Sequence, residues 1–75
     1  MDKQTEKAFD RAVNLVNSYY NKLGEAIDNN DEAAADKYGD RYENAIERYA
    51  KQFGYTYSQF EDACTCTRVY GYNMS

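Results

Sequence analysis

The 75-residue sequence contains no proline, no histidine and no tryptophan. The absence of proline bears on the structure, and the absence of histidine bears on the function. A proline inside a helix costs about 3 kcal/mol, so its absence favours long uninterrupted helices. Without histidine the chain lacks the usual general base of enzymes. The two cysteines, Cys64 and Cys66, are too few for a secreted disulfide scaffold, and a zinc site needs four ligands. We therefore expect no enzyme activity, no metal site and no cofactor.

Long apolar runs are also missing, and cations are in the minority. No stretch approaches the length of a membrane span, so we expect a soluble, cytoplasmic protein without membrane contact. Lysine and arginine number 9 against 13 aspartates and glutamates, which leaves a net charge of −4. Direct nucleic-acid binding needs clustered cations, so a basic protein is the expected partner.

Apolar side chains recur at helical spacing in two long segments, which predicts an all-α protein. In the first segment, residues 3–28, a heptad-type seam comprises Phe9, Val13, Val16, Tyr20, Leu23 and Ile27. A second apolar row lies beside it and comprises Ala8, Ala12, Leu15, Tyr19 and Ala26. The apolar arc is therefore wide enough for two neighbours. A third helix or a second copy satisfies it equally, so a homodimer stays open.

The second segment, residues 31–53, is separated from the first by the polar run Asp28–Asp31 and ends at Gly54. Its side chains sort into three sectors around the helix. The apolar sector is centred on Tyr42 and Tyr49, and one flank is acidic. The other flank is basic and comprises Lys37, Arg41, Arg48 and Lys51.

A short third helix over residues 58–70 completes the predicted domain. Ser58 and Glu61 match a capping box, although the strand-favouring residues 65–70 leave an extended end as the alternative. The helix is expected to dock on the second apolar row of the first helix and to bury Cys64. The fold class is thus a small helical bundle: a long antiparallel two-helix hairpin plus a short C-terminal helix, in one domain spanning residues 1–75.

The most informative pattern is a row of carboxylates at steps of four, four, three and four. It comprises Glu32, Asp36, Asp40, Glu43 and Glu47. Like charges four residues apart repel by a few tenths of a kcal/mol, so stability alone does not favour the row. Successive members lie about 6 Å apart, close to the spacing of phosphates along a nucleic-acid strand. With Asp28, Asp31 and the tyrosine Tyr57, the row forms our candidate partner-binding site.

Two functions fit this pattern. The first is a stoichiometric inhibitor that places the carboxylate row and its tyrosines on a basic nucleic-acid-binding surface of a target protein. Size, acidity and tyrosine content resemble, in composition alone, those of phage anti-restriction and anti-CRISPR proteins, which act in the host cytoplasm. The second is a self-associating or adaptor module that binds partner helices through its apolar seam. A third explanation, a merely solvated acidic face, stays open.

Overall fold

Three helices account for most of residues 2–70, which are the residues that the computed structural model describes. They are α1 (Lys3–Asp28), α2 (Glu32–Phe53) and α3 (Tyr57–Tyr70), and this part of the chain contains no strand. The predicted all-α bundle, with a long hairpin and a short third helix, is confirmed. Residues 65–70 are helical, so the alternative of an extended end is wrong for them.

Local capping chemistry explains where the first two helices begin and end. The Asp2 carboxylate accepts a hydrogen bond from the Thr5 amide at 2.7 Å, and the Asp31 carboxylate does the same for Ala34 at 3.1 Å. Asn30 takes the left-handed conformation in the connecting turn, with φ of 56°. Gly54 ends α2 with φ of 77°, where a Cβ atom is disfavoured.

The third helix is capped by a different residue pair from the one predicted. The Gln59 amide donates to the Thr56 hydroxyl at 3.2 Å, and the Thr56 amide donates to the Gln59 side-chain carbonyl at 2.9 Å. These two reciprocal bonds are a capping box. The Ser58–Glu61 prediction is therefore wrong by two residues, and α3 begins at Tyr57.

The core lies where all three helices meet. Its buried side chains are Phe9, Ala12, Val13, Val16, Ile46, Ala50, Phe60 and Cys64. Phe60 of α3 lies parallel to Phe53 with ring centroids 6.4 Å apart and meets Phe9 edge-on at 5.6 Å. Burying a phenylalanine stabilises by about 2–3 kcal/mol, so this cluster is the main anchor of α3.

The buried face of α2 and the docking place of α3 differ from the prediction. Ile46 and Ala50 are fully buried, whereas Tyr42 and Tyr49 pack only partly against the core. The buried face is thus rotated toward the acidic flank, because α3 packs on that side. Its contacts on α1 include Phe9, Asn17 and Tyr20, whereas the second apolar row at Leu15 and Tyr19 faces the basic flank of α2.

Packing is uneven along the hairpin. Of the predicted seam, Phe9, Val13 and Val16 are buried, but Tyr20 is 42% exposed and Ile27 is 60% exposed. Between residues 17 and 45 Ala26 is the only buried residue. The molecule therefore has a three-helix core end and a thinner hairpin end, residues 20–40, in which α1 and α2 pack against each other.

Candidate acidic protein-binding surface

The five carboxylates of the predicted row all lie on α2 and are all exposed. They are Glu32, Asp36, Asp40, Glu43 and Glu47. Because the helix is uninterrupted over this range, the row follows one side of it for about 22 Å, at 1.5 Å per residue. The row is thus a straight line of negative charge held on a rigid element.

Helix α3 adds two side chains to this row. Tyr57, 39% exposed, begins α3. Its pKa is raised by partial burial first, and then by the nearby charges of Glu61, Glu43 and Glu47. Tyr57 therefore lies within electrostatic range of the C-terminal half of the row. We call the row together with Tyr57 and Glu61 the acidic surface.

Glu61 was not among the predicted site residues. It joins the acidic surface because α3 docks on the acidic side of α2, and it shares a helix face with Tyr57, four residues earlier. The spacing of four residues between Tyr57 and Glu61 is the sequence signal that could have identified Glu61. The signal could be used only once the docking side of α3 was known.

Asp28 and Asp31 lie at the turn of the hairpin and differ in role. The Asp31 carboxylate is engaged as the N-cap of α2, so it stabilises the helix that carries the row. Asp28 is exposed at the last position of α1, where no basic residue occupies the final turn. A carboxylate at a helix C-terminus is unfavourable by some tenths of a kcal/mol. Asp28 thus adds negative charge at the hairpin turn without stabilising α1.

The single cation of α3 is turned away from the acidic surface. The Arg68 guanidinium lies 3.7 Å from the centroid of the Tyr20 ring and donates to the Asn17 side chain at 3.1 Å. The positive charge of Arg68 also opposes the rise in the Tyr42 pKa that burial causes. Arg68 is thereby committed to joining the three helices.

The opposite flank of the hairpin carries cations over tyrosine rings. Around the Tyr38 ring lie Lys37 at 5.4 Å, Lys22 at 5.7 Å and Arg41 at 6.0 Å. Arg48 lies 5.9 Å from the ring of Tyr49. Four cations therefore form a basic face, defined as Lys22, Lys37, Arg41 and Arg48. The acidic and basic flanks of α2 are separate over most of the helix, but Lys51 of the predicted basic flank lines a shallow depression together with Glu47 of the row.

The chemistry available at these surfaces is electrostatic. Within residues 2–70 no three carboxylate or thiol side chains gather in a group that could hold a metal ion. Cys64 is buried and Cys66 half-buried, both with free thiols, and burial raises the Cys64 pKa to about 12. A thiol so protonated is a poor nucleophile. The acidic surface can attract the lysines and arginines of a partner.

No protein-family model, curated protein or solved structure matches the chain. A further finding concerns membranes: none of the three described helices combines the length and the apolar character that crossing a bilayer requires. The functional argument therefore starts from the geometry above.

Proposed function

We propose that this protein is a stoichiometric inhibitor whose acidic surface occupies a basic nucleic-acid-binding surface of a target protein. The observation that carries the proposal is the unbroken exposed carboxylate row, extended by Tyr57 and Glu61 of α3. Such an inhibitor acts by binding alone. An anti-restriction or anti-CRISPR protein of a phage, working in the host cytoplasm, is the class that fits it.

Two features support this use of the surface. The five carboxylates include four pairs three or four residues apart, each of which repels by a few tenths of a kcal/mol. The cation of α3, Arg68, contacts Tyr20 and leaves the row without neutralisation from that helix. The resulting field attracts a basic groove before contact and weakens as salt is added.

Tyr57 supplies what the carboxylates lack. Tyrosine is enriched at the centre of protein interfaces because its ring buries a large apolar area while its hydroxyl tolerates water. A partner that binds only charge gains little net free energy, since desolvation offsets attraction. An exposed ring beside Glu43 and Glu47 therefore gives the acidic surface an apolar anchor.

The test is a pull-down from bacterial lysate that compares the wild type with the double variant Asp36→Lys, Asp40→Lys. We expect the wild type to retain a nucleic-acid-binding protein. Added DNA or RNA should displace that protein, and moderate salt should weaken its retention. The double variant should lose it, because four units of charge change at the middle of the row. The matched control is Glu25→Lys, Asp62→Lys, which makes the same charge change at exposed positions off the row.

Two results would contradict the proposal. One is retention of the same protein by Asp36→Lys, Asp40→Lys at wild-type strength. The other is equal loss in the control, which would mean that net charge matters and the row does not. Circular dichroism of both variants checks that the helices are intact.

The second candidate, an adaptor that pairs with partner helices, is favoured by one observation. Ile27 is 60% exposed at the hairpin end, beside a shallow depression that Ala26 and Ala35 help to line. Phe9, Val13 and Val16 are closed within the three-helix core, so only the hairpin end of the seam is left for a partner. Partner capture that Ile27→Asp abolishes and Asp36→Lys, Asp40→Lys leaves unchanged would favour the adaptor.

A further inference from the structure

A groove on the basic side of the hairpin is not used by the proposed inhibitor function. It lies between α1 and α2, and Tyr57 and Glu61 of α3 lie with the acidic flank instead. Its lining consists of Leu15, Tyr19, Arg41, Asn44, Ala45, Arg48 and Tyr49. The lining thus combines aliphatic and aromatic side chains with an amide and two arginines.

The size of the groove limits its occupant. Its volume is about 230 Å³, below the roughly 300–1,000 Å³ of typical small-molecule sites. Leu15 remains 37% exposed in it, so apolar area is available to an occupant. A single side chain from another protein fits this space better than a cofactor does.

The two arginines of the groove specify which groups should accompany that side chain. Arg41 and Arg48 are seven residues apart, so they stand two helical turns, about 10 Å, from one another on one side of α2. Arginine pairs best with carboxylates, through its planar fork of donors. The groove therefore calls for a large, partly apolar side chain with carboxylates beside it.

The acidic surface of the same protein presents that combination. Tyr57 is exposed and lies within electrostatic range of Glu43 and Glu47. We propose that the groove is the docking site for a second copy of this chain, which inserts Tyr57 over Leu15 and pairs Glu43 and Glu47 with Arg41 and Arg48. The argument is charge complementarity between two faces of one molecule.

This contact is heterologous, since a groove on one copy meets an acidic surface on the other. In a pair, one copy keeps a free groove and the other keeps a free acidic surface. Further copies can therefore add, and the assemblies grow as the protein concentration rises. The association uses the same acidic surface as the inhibitor, and a concentrated stock would therefore compete with target binding. It does not rest on the proposed function, because purified protein alone tests it.

The experiment uses two variants that each lose one face. The groove variant is Arg41→Gln, Arg48→Gln, and the surface variant is Glu43→Gln, Glu47→Gln. All four positions are exposed on α2, and glutamine is a good helix former, so folding is expected to be unaffected. The matched controls neutralise exposed charges elsewhere: Lys3→Gln, Lys7→Gln for the groove and Glu25→Gln, Asp62→Asn for the surface.

Sedimentation equilibrium measures the outcome. We expect the mass of the wild type to rise above the 8.7 kDa monomer with concentration and to fall back with salt. Each variant alone should associate about tenfold more weakly or not at all, and the controls should behave as wild type. An equimolar mixture of the two variants should form a 1:1 dimer and nothing larger, because it contains one intact groove and one intact acidic surface.

Several results would overturn the proposal. They are a wild type that stays monomeric at millimolar concentration, variants that associate as strongly as wild type, and a mixture that does not restore the dimer. A different occupant is tested with a labelled single-stranded RNA. If a monomeric wild type binds it and Arg41→Gln, Arg48→Gln does not, the groove takes phosphates instead of a second copy.

Discussion

Arg68 shows how one side chain can hold three helices together. Its Nη1 donates to Asn17 on α1 at 3.1 Å, and its Nη2 donates to Thr65 within α3 at 3.3 Å. The guanidinium also lies over the ring of Tyr20 of α1, which in turn packs against Tyr42 of α2 with ring centroids 5.8 Å apart. A planar cation can make all these contacts at once, whereas a lysine ammonium cannot stack.

We predict that Arg68→Lys lowers the free energy of unfolding by about 1–2 kcal/mol, from the lost stacking and one lost charged hydrogen bond. Urea denaturation measures it. The matched control is Arg48→Lys, because Arg48 also lies over a tyrosine ring but is exposed. That variant should change stability by less than about 0.5 kcal/mol. Equal losses in the two variants would refute a special role for Arg68.

Cys64 gives the protein a predictable response to alkaline pH. Burial raises its thiol pKa from the ordinary 9.0 to about 12, so between these values the unfolded chain releases a proton that the folded chain keeps. The stability that Cys64 contributes is complete below pH 9 and declines above it. The slope for one proton is at most about 1.4 kcal/mol per pH unit.

We predict that Cys64→Ala flattens the fall of stability between about pH 9 and pH 10, before most tyrosines ionise. Urea midpoints at several pH values measure the slope, which is independent of the loss of packing at Cys64. The half-buried Cys66 supplies the control, and Cys66→Ala should keep the wild-type slope. An unchanged slope in Cys64→Ala would show that the thiol ionises equally in both states.

At the scale of elements, the start of α3 is set by Thr56 and Gln59. We predict that Thr56→Ala costs about 1 kcal/mol, the usual cost of removing an N-cap hydroxyl. Ser58→Ala, two residues later, should cost no more than a few tenths, because Ser58 is exposed inside the first turn. Thermal unfolding of the two variants decides between the capping pairs. A larger effect at Ser58 would restore the pair that the sequence alone favours.

The ends of α1 and α2 could be predicted because their signals are local. Asp2, Asp31 and Gly54 act within one turn of the helix that they cap, so no tertiary contact is needed to recognise them. For α3 two matches to a capping box overlap, at residues 56–59 and 58–61. Local rules cannot rank them, and the strand-favouring residues 65–69 are overridden by tertiary packing around Cys64 and Arg68.

The candidate site, like the helix ends, was predictable where its signal is local and not where it depends on the docking of α3. The carboxylate row lies on one helix, so helical periodicity alone aligns it. The position of Glu61 in the acidic surface and the burial of Ala50 both depend on the side of the hairpin on which α3 docks. A wide apolar arc on α1 offers two such sides. Contacts of Asn17 and Tyr20 with α3 decide between them, and neither residue belongs to the second apolar row.

At the scale of the whole molecule, the acidic row crosses from a thin region to a well-packed one. The described chain is elongated, 42 × 23 × 19 Å, and its buried core is concentrated at one end. Glu32, Asp36 and Asp40 belong to the hairpin end, whereas Glu43 and Glu47 lie beside the core. Local stability follows the number of buried apolar contacts, so the two ends should open independently.

Native-state hydrogen exchange can measure this difference. We predict that amides near Ala26 and in the first turns of α2 exchange at least about tenfold faster than those of Val13, Val16 and Ile46. Low concentrations of urea should accelerate the core amides strongly and the hairpin-end amides weakly, because local opening exposes little surface. Asp28→Lys provides an internal check, since a cation at the C-terminus of α1 favours the helix dipole and should slow exchange at the hairpin end alone. Uniform protection along α2 would instead mean that the row is carried by a single rigid unit and that the hairpin end does not open on its own.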